Sequence, residues 1–265
     1  MGWHRNLLKT VLALSLLAGC STALKRNIAS DWRPTIDHEF IRNSLGKTFA
    51  FKRPSPPQGE PNCVATALRG GGYLPSFALN GTDSFYERIL PICFSKLDSP
   101  EMAESGDLGI IYEESVPTLA HMVLFLDRNQ IYEKPSPNPQ DHFRINSWRA
   151  LRKVEKRASN RFEVWRYSPA RNCPLAELNE RFEHSGELVS LSKEIDRRIF
   201  AQDWTPDPAL RARLLSDLNA LEKAKDQWGG GLPGGFRFER DYPEFFLFQF
   251  KEDLLRLLLY SPAAK

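Results

Sequence analysis

From residue 106 to 167 apolar residues alternate with polar ones, or run in short blocks between turn formers. From 174 onward they recur every three or four positions. The first pattern predicts strands over 107–112, 119–126, 130–134, 143–145 and 161–167. The second predicts helices over 174–200 and 208–227, a glycine-rich break at 229–235, and a helix over 245–260. In that last helix Phe246, Phe250, Leu254, Leu257 and Leu258 share roughly one face. Upstream, 36–45 reads as a short helix stopped by Gly46, and Phe49–Phe51 as a strand. The proline-rich stretch 53–61 is a stiff loop. Asn62 can cap a helix that starts at Cys63, runs through Val-Ala-Thr-Ala-Leu-Arg, and ends at Gly70-Gly71-Gly72. Residues 82–97 read as partly helical, broken at Pro91. A short helix followed by about five strands implies an α+β fold with an antiparallel sheet, extended by C-terminal helices.

The first twenty residues follow another rule. His4, Arg5 and Lys9 precede the apolar run Val11–Leu17, and the small pair Ala18-Gly19 precedes Cys20. The run is too short to span a bilayer, which needs about 20 apolar residues. It has the layout of a bacterial lipoprotein signal peptide, with cleavage before Cys20 and acylation of the Cys20 thiol. The expected division is a signal peptide over 1–19, a polar tether over 20–36, a catalytic core over 37–170 and a helical extension over 171–265. The expected location is the cell envelope, anchored to a membrane through lipid and facing the periplasm or exterior.

Loss of residues 1–19 removes Arg5 and Lys9 and lowers the formal net charge from +3 to +1. A nearly neutral chain excludes bulk electrostatic binding of nucleic acid. With 42% hydrophobic residues, the remaining chain can bury a substantial core.

The cysteines are Cys20, Cys63, Cys93 and Cys173. With Cys20 assigned to lipid and Cys63 to chemistry, Cys93 and Cys173 remain. They either pair as a disulfide in an oxidising compartment or stay as two buried apolar thiols. No cysteine or histidine spacing matches a metal site, so neither a metal nor a cofactor is expected.

Three residues carry candidate chemistry together. Cys63 sits in the first turn of its helix, where unpaired N–H groups and the helix dipole favour a thiolate and can hold an oxyanion. His121 opens a strand. Asp127-Arg128-Asn129 can close a tight three-residue turn, which sets Val123 opposite Glu133. Side chains alternate along a strand, so Glu133 shares a face with His121, one diagonal away. The result is a nucleophile, a base, and a carboxylate that orients the base.

At these residues the chain resembles the papain-like NlpC-type cell-wall cysteine peptidases. Pro61-Asn62-Cys63-Val64-Ala65-Thr66-Ala67-Leu68 resembles their nucleophile helix, and Gly106-Asp107-Leu108 the Gly-Asp-Leu that opens their first core strand. Ala120-His121-Met122-Val123-Leu124-Phe125-Leu126 resembles their His-bearing strand. Ile131-Tyr132-Glu133 takes the place of the strand with the third polar residue. The likeness covers roughly residues 60–167. It departs from the family pattern at Asn62-Cys63-Val64-Ala65, in having Glu as third residue, and in the proline-rich segment after it. The resemblance implies a papain-like core and a thiol hydrolase acting on amide bonds, typically of peptidoglycan stem peptides. It also implies Gln58 as a candidate second oxyanion donor. Two other readings stay open: a thiol acyltransferase or esterase acting on lipid acyl groups, and a non-catalytic lipoprotein that binds cell-wall peptides or a protein partner.

Overall fold

A computed structural model of the chain describes residues 32–48, 63–76, 89–113, 119–135, 141–157, 160–170, 173–203, 207–227 and 238–259. Pro34–Lys265 form one compact unit. In chain order it contains α1 (His38–Ser44), α2 (Cys63–Gly70), α3 (Leu90–Cys93), β1 (Phe94–Lys96), β2 (Leu108–Tyr112), β3 (Leu119–Phe125), β4 (Gln130–Glu133) and β5 (Arg144–Ser147). There follow α4 (Trp148–Arg157), β6 (Arg161–Tyr167), α5 (Leu175–His184), α6 (Gly186–Ala201), α7 (Pro208–Gln227) and α8 (Phe238–Leu259). The strands form one antiparallel sheet in the order β1-β6-β2-β3-β4-β5. The fold is thus α+β, as the patterning implies.

Several expectations are corrected. Of the stretch read as partly helical, residues 89–97 are described, and they carry a four-residue helix at Leu90–Cys93, then an edge strand at 94–96. Pro91 lies in the first turn of α3, where its missing N–H costs no bond. The helix α4 is an element the patterning missed, because its apolar residues Trp148 and Leu151 are outnumbered by charged ones. The helix expected over 174–200 is two, divided at Ser185, whose side chain accepts from Leu188 N and caps α6. The last helix begins at Phe238, not 245. The expected strand at 49–51, the caps at 62 and the break at 229–235 lie outside the described residues.

The sheet has two buried faces. On one, Ile111, Val123, Phe125, Ile131 and Val164 pack with Trp148 and Leu151 of α4. On the other, α2 lies along β3 and β4. Its last residue is glycine, which lets the helix end pack closely: a Cβ at Gly70 would meet the Tyr132 ring at 3.0 Å, tighter than ordinary contact. Fully burying side chains such as Phe125 or Leu124 stabilises the fold by about 1.5–3 kcal/mol each.

The C-terminal helices join the same body. Phe200 of α6 packs on Phe40 of α1. Gln202 exchanges hydrogen bonds with Thr48. Asn179 of α5 donates to the Tyr73 carbonyl. A disulfide joins Cys93, at the end of α3, to Cys173, just before α5. It closes a loop with a sequence separation of 80 residues, for which about 2–5 kcal/mol is typical.

Candidate active site

Cys63 is the first residue of α2, is buried, and is the free thiol among the described cysteines. The first N–H groups of a helix have no partner within it, so this end carries partial positive charge. Helix α2 begins beside His121 and ends against Leu124 and Tyr132, so its axis follows β3.

The β3–β4 hairpin has the register that the turn predicts. Leu124 pairs with Tyr132 and Phe125 with Ile131. Leu126 N donates to Gln130 O, leaving Asp127–Asn129 as the turn. Asp127 builds that turn: its Oδ1 accepts from Asn129 N at 2.7 Å and Gln130 N at 2.8 Å. Extended by one residue beyond its last pair, this register sets Val123 opposite Glu133, and Glu133 meets the His121 ring. Beside His121 the β2–β3 ladder is irregular: Ile111 pairs with His121 but Tyr112 with Leu119. Such a bulge turns the local backbone and re-aims a side chain.

Glu133 is fully buried and uses both carboxylate oxygens. Its Oε2 lies 2.7 Å from His121 Nε2. Its Oε1 accepts from Arg144 Nε at 2.8 Å and from Asn146 Nδ2 at 3.0 Å. Arg144 Nη2 is 2.7 Å from the same oxygen. Both donors come from β5, because Glu133 pairs with Arg144 and Ile131 with Asn146, which puts all four side chains on one face. Sequence reasoning missed Arg144 and Asn146. The signal was present, since Phe143-Arg-Ile reads as a strand, but nothing local says which strand it joins.

Burial works against a charged His121, but hydrogen bonds to Cys63 and Glu133 and the charges of the same two groups outweigh it. The ring pKa is raised to about 9. Burial likewise works against a charged Glu133 and is outweighed by His121, Asn146 and Arg144, so its pKa falls to about 2. At neutral pH the ring is therefore protonated and the carboxylate ionised. With Nε2 committed to Glu133, Nδ1 is the nitrogen left for the Cys63 thiol. The three residues form a chain, Cys63–His121–Glu133, continued by Arg144 and Asn146.

Gln58 and Cys20 lie outside the described residues. Among the described residues no group of three or more His, Cys, Asp or Glu side chains could hold a metal ion. Among them, too, no helix is long and apolar enough to cross a membrane. Comparison of the chain with protein-family models, with curated proteins and with solved structures finds no match.

Proposed function

We propose that the protein is a lipid-anchored thiol hydrolase of the bacterial cell envelope, with a papain-like core, that cleaves amide bonds by a Cys63–His121–Glu133 triad. The observation that carries this reading is His121, buried and bonded to a helix-end cysteine on one side and to an ionised carboxylate on the other. Support for the papain-like core comes from a nucleophile helix laid along an antiparallel sheet, with the base and its orienting residue on adjacent strands.

The chemistry follows from the charges. The Cys63 sulfur, held beside a cationic ring at the positive end of α2, reacts as the thiolate. Sγ attacks the amide carbonyl, and the oxyanion is met by backbone N–H groups at that helix end. His121 gives its proton to the departing amine as the C–N bond breaks, leaving a thioester on Cys63. The neutral ring then takes a proton from water, whose oxygen attacks the thioester. The acid product leaves, and the proton remains on His121. Glu133 keeps the ring oriented and stabilises its cation throughout, while Arg144 and Asn146 fix the carboxylate. Peptidoglycan stem peptides are the substrate class, on the combined strength of the motif order and the signal-peptide layout.

The test is digestion of isolated peptidoglycan, with released fragments identified by mass spectrometry, beside pH-resolved alkylation of Cys63. The wild type releases peptide fragments and the Cys63→Ala variant does not. Cys63 alkylates at pH 6 far faster than a free thiol of ordinary pKa, about 8.5. Reactivity of Cys63 equal to that of an unfolded control peptide would remove the proposal's support. For the anchor, Cys20→Ala should abolish incorporation of labelled fatty acid. Undiminished labelling of that variant would refute acylation at Cys20.

A further inference from the structure

A concave site lies at the turn end of the β3–β4 hairpin, away from His121. It is a groove of about 690 Å³ between the turn and α4. That volume falls in the range of small-ligand pockets. Its distance from His121 is on the order of 20 Å, given about 3.4 Å per strand residue. Its walls carry Arg128, Arg149, Arg152 and Lys153 against a single carboxylate, Glu101.

These cations are not equivalent. Arg152 is held in place: its Nη1 lies 2.6 Å from Glu101 Oε1, and its guanidinium stands 5.8 Å from the Trp148 ring centroid and 5.9 Å from that of Phe162. The two aromatic rings are therefore engaged by Arg152 and are not a free stacking platform. Arg128, Arg149 and Lys153 are exposed and have no acidic partner among the described residues. Arg149 and Lys153 are four apart on α4, a spacing at which like charges repel and cost the helix stability. Arg128 arrives from a different element, the β3–β4 turn, so the cations converge from two sides of one concavity. Four cations gathered in a groove against one carboxylate form an oxyanion receptor, and guanidinium forks match phosphate or carboxylate geometry.

We infer that this groove binds a small ligand bearing at least two phosphate groups, at a site separate from the Cys63 centre. A concave receptor suits a discrete molecule better than the plane of a membrane. The phosphates can belong to a soluble metabolite or to an envelope glycan.

The test is calorimetric titration of the full-length protein with inorganic pyrophosphate at low ionic strength. The variants are Arg149→Gln/Lys153→Gln and, on the turn, Arg128→Gln. The control is Arg213→Gln, on an exposed position of α7. Pyrophosphate should bind one to one and raise the melting temperature. Each cation removed should weaken it by about tenfold or more, since each loses a charge-assisted hydrogen bond. The control should bind as the wild type does, and Cys63 alkylation should be the same in all variants. Arg128→Gln leaves α4 intact, so a loss of binding there is not a folding defect of that helix. Absence of saturable binding, or binding indifferent to both variants, overturns the proposal. So does failure to bind pyrophosphate combined with retention on phosphatidylglycerol vesicles, which would make the surface a membrane contact.

Discussion

The two ends of α2 each carry an ionic grouping, buried at one end and partly buried at the other, and they differ in what sits at the centre. At the N-terminal end His121 lies between Cys63 and Glu133. At the C-terminal end Arg69 lies between two carboxylates. Its Nη1 reaches Asp37 Oδ2 at 2.6 Å, its Nη2 reaches Asp196 Oδ2 at 3.2 Å, and the guanidinium stands 4.5 Å from the Phe40 ring centroid. Burial raises the Asp196 carboxyl even against Arg69. Asp37 is held below its ordinary value, burial being outweighed by hydrogen bonds from Phe40 N and Arg69. Arginine does not lose its proton in a protein, so the Arg69 grouping has one charge state and serves to clamp α1, α2 and α6. The histidine grouping has a proton that can leave, beside a nucleophile. A buried charged triad by itself therefore says nothing of catalysis. A titratable centre next to a thiol at a positive helix end does.

That contrast breaks most decisively at Cys63. Cys63→Ala should lower turnover roughly 10⁶-fold, as loss of a triad nucleophile does, and leave the urea midpoint nearly unchanged. Residual turnover within tenfold of wild type would place the chemistry elsewhere. Glu133→Gln comes next. It keeps the shape but weakens the hold on the His121 cation, at a cost of roughly 10²–10⁴ in kcat. Full activity in that variant would reduce Glu133 to a structural strut. At the other end of the helix, Arg69→Met should do the reverse. Breaking a fully buried pair from one side costs about 3–5 kcal/mol, and this partly buried one should cost less, read as a lower urea midpoint. The alkylation rate of folded Cys63 should stay as it was, and a large change in it would show that the two ends are coupled.

The smallest effect is the pH dependence of stability. His121 has an ordinary pKa of 6.5, raised here to about 9, so its contribution is complete below pH 6.5 and disappears as pH rises to about 9. Glu133 has an ordinary pKa of 4.5, lowered to about 2, so its contribution is complete above pH 4.5 and is lost as pH falls to about 2. The melting-temperature gap between wild type and Glu133→Gln should therefore be widest from about pH 4.5 to 6.5 and narrow on both sides, by about 2–4 °C per kcal/mol. A gap constant from pH 3 to 10 would mean that the pair is not ionised. Arg69→Met should show no narrowing on the alkaline side.

Local signals account for much of what was legible. The odd-length turn at Asp127–Asn129, the short apolar blocks of β2, β3 and β4 between turn formers, and the glycine stop after Arg69 are each written in a few adjacent residues. Those few residues were enough to put His121 and Glu133 on one face. Elements with mixed signals were read poorly. The strand β1 is three residues long at a sheet edge, and α4 buries only its Trp148 side under a charged surface.

The sequence by itself determined the helix-end position of Cys63, the hairpin register and the alternation that pairs the base with its carboxylate, because each depends on turn geometry or on side-chain period over a dozen residues or fewer. Tertiary structure alone decided the rest. It chose β5 as the neighbour of β4, which brings Arg144 and Asn146 to Glu133. It joined Cys93 to Cys173 and set Asp196 of α6 against Arg69 of α2. It also closed the basic groove between a turn and a helix some twenty residues apart. These contacts join segments whose separation is settled by how whole faces pack, and burial is a property of the assembled core that no local stretch of chain encodes.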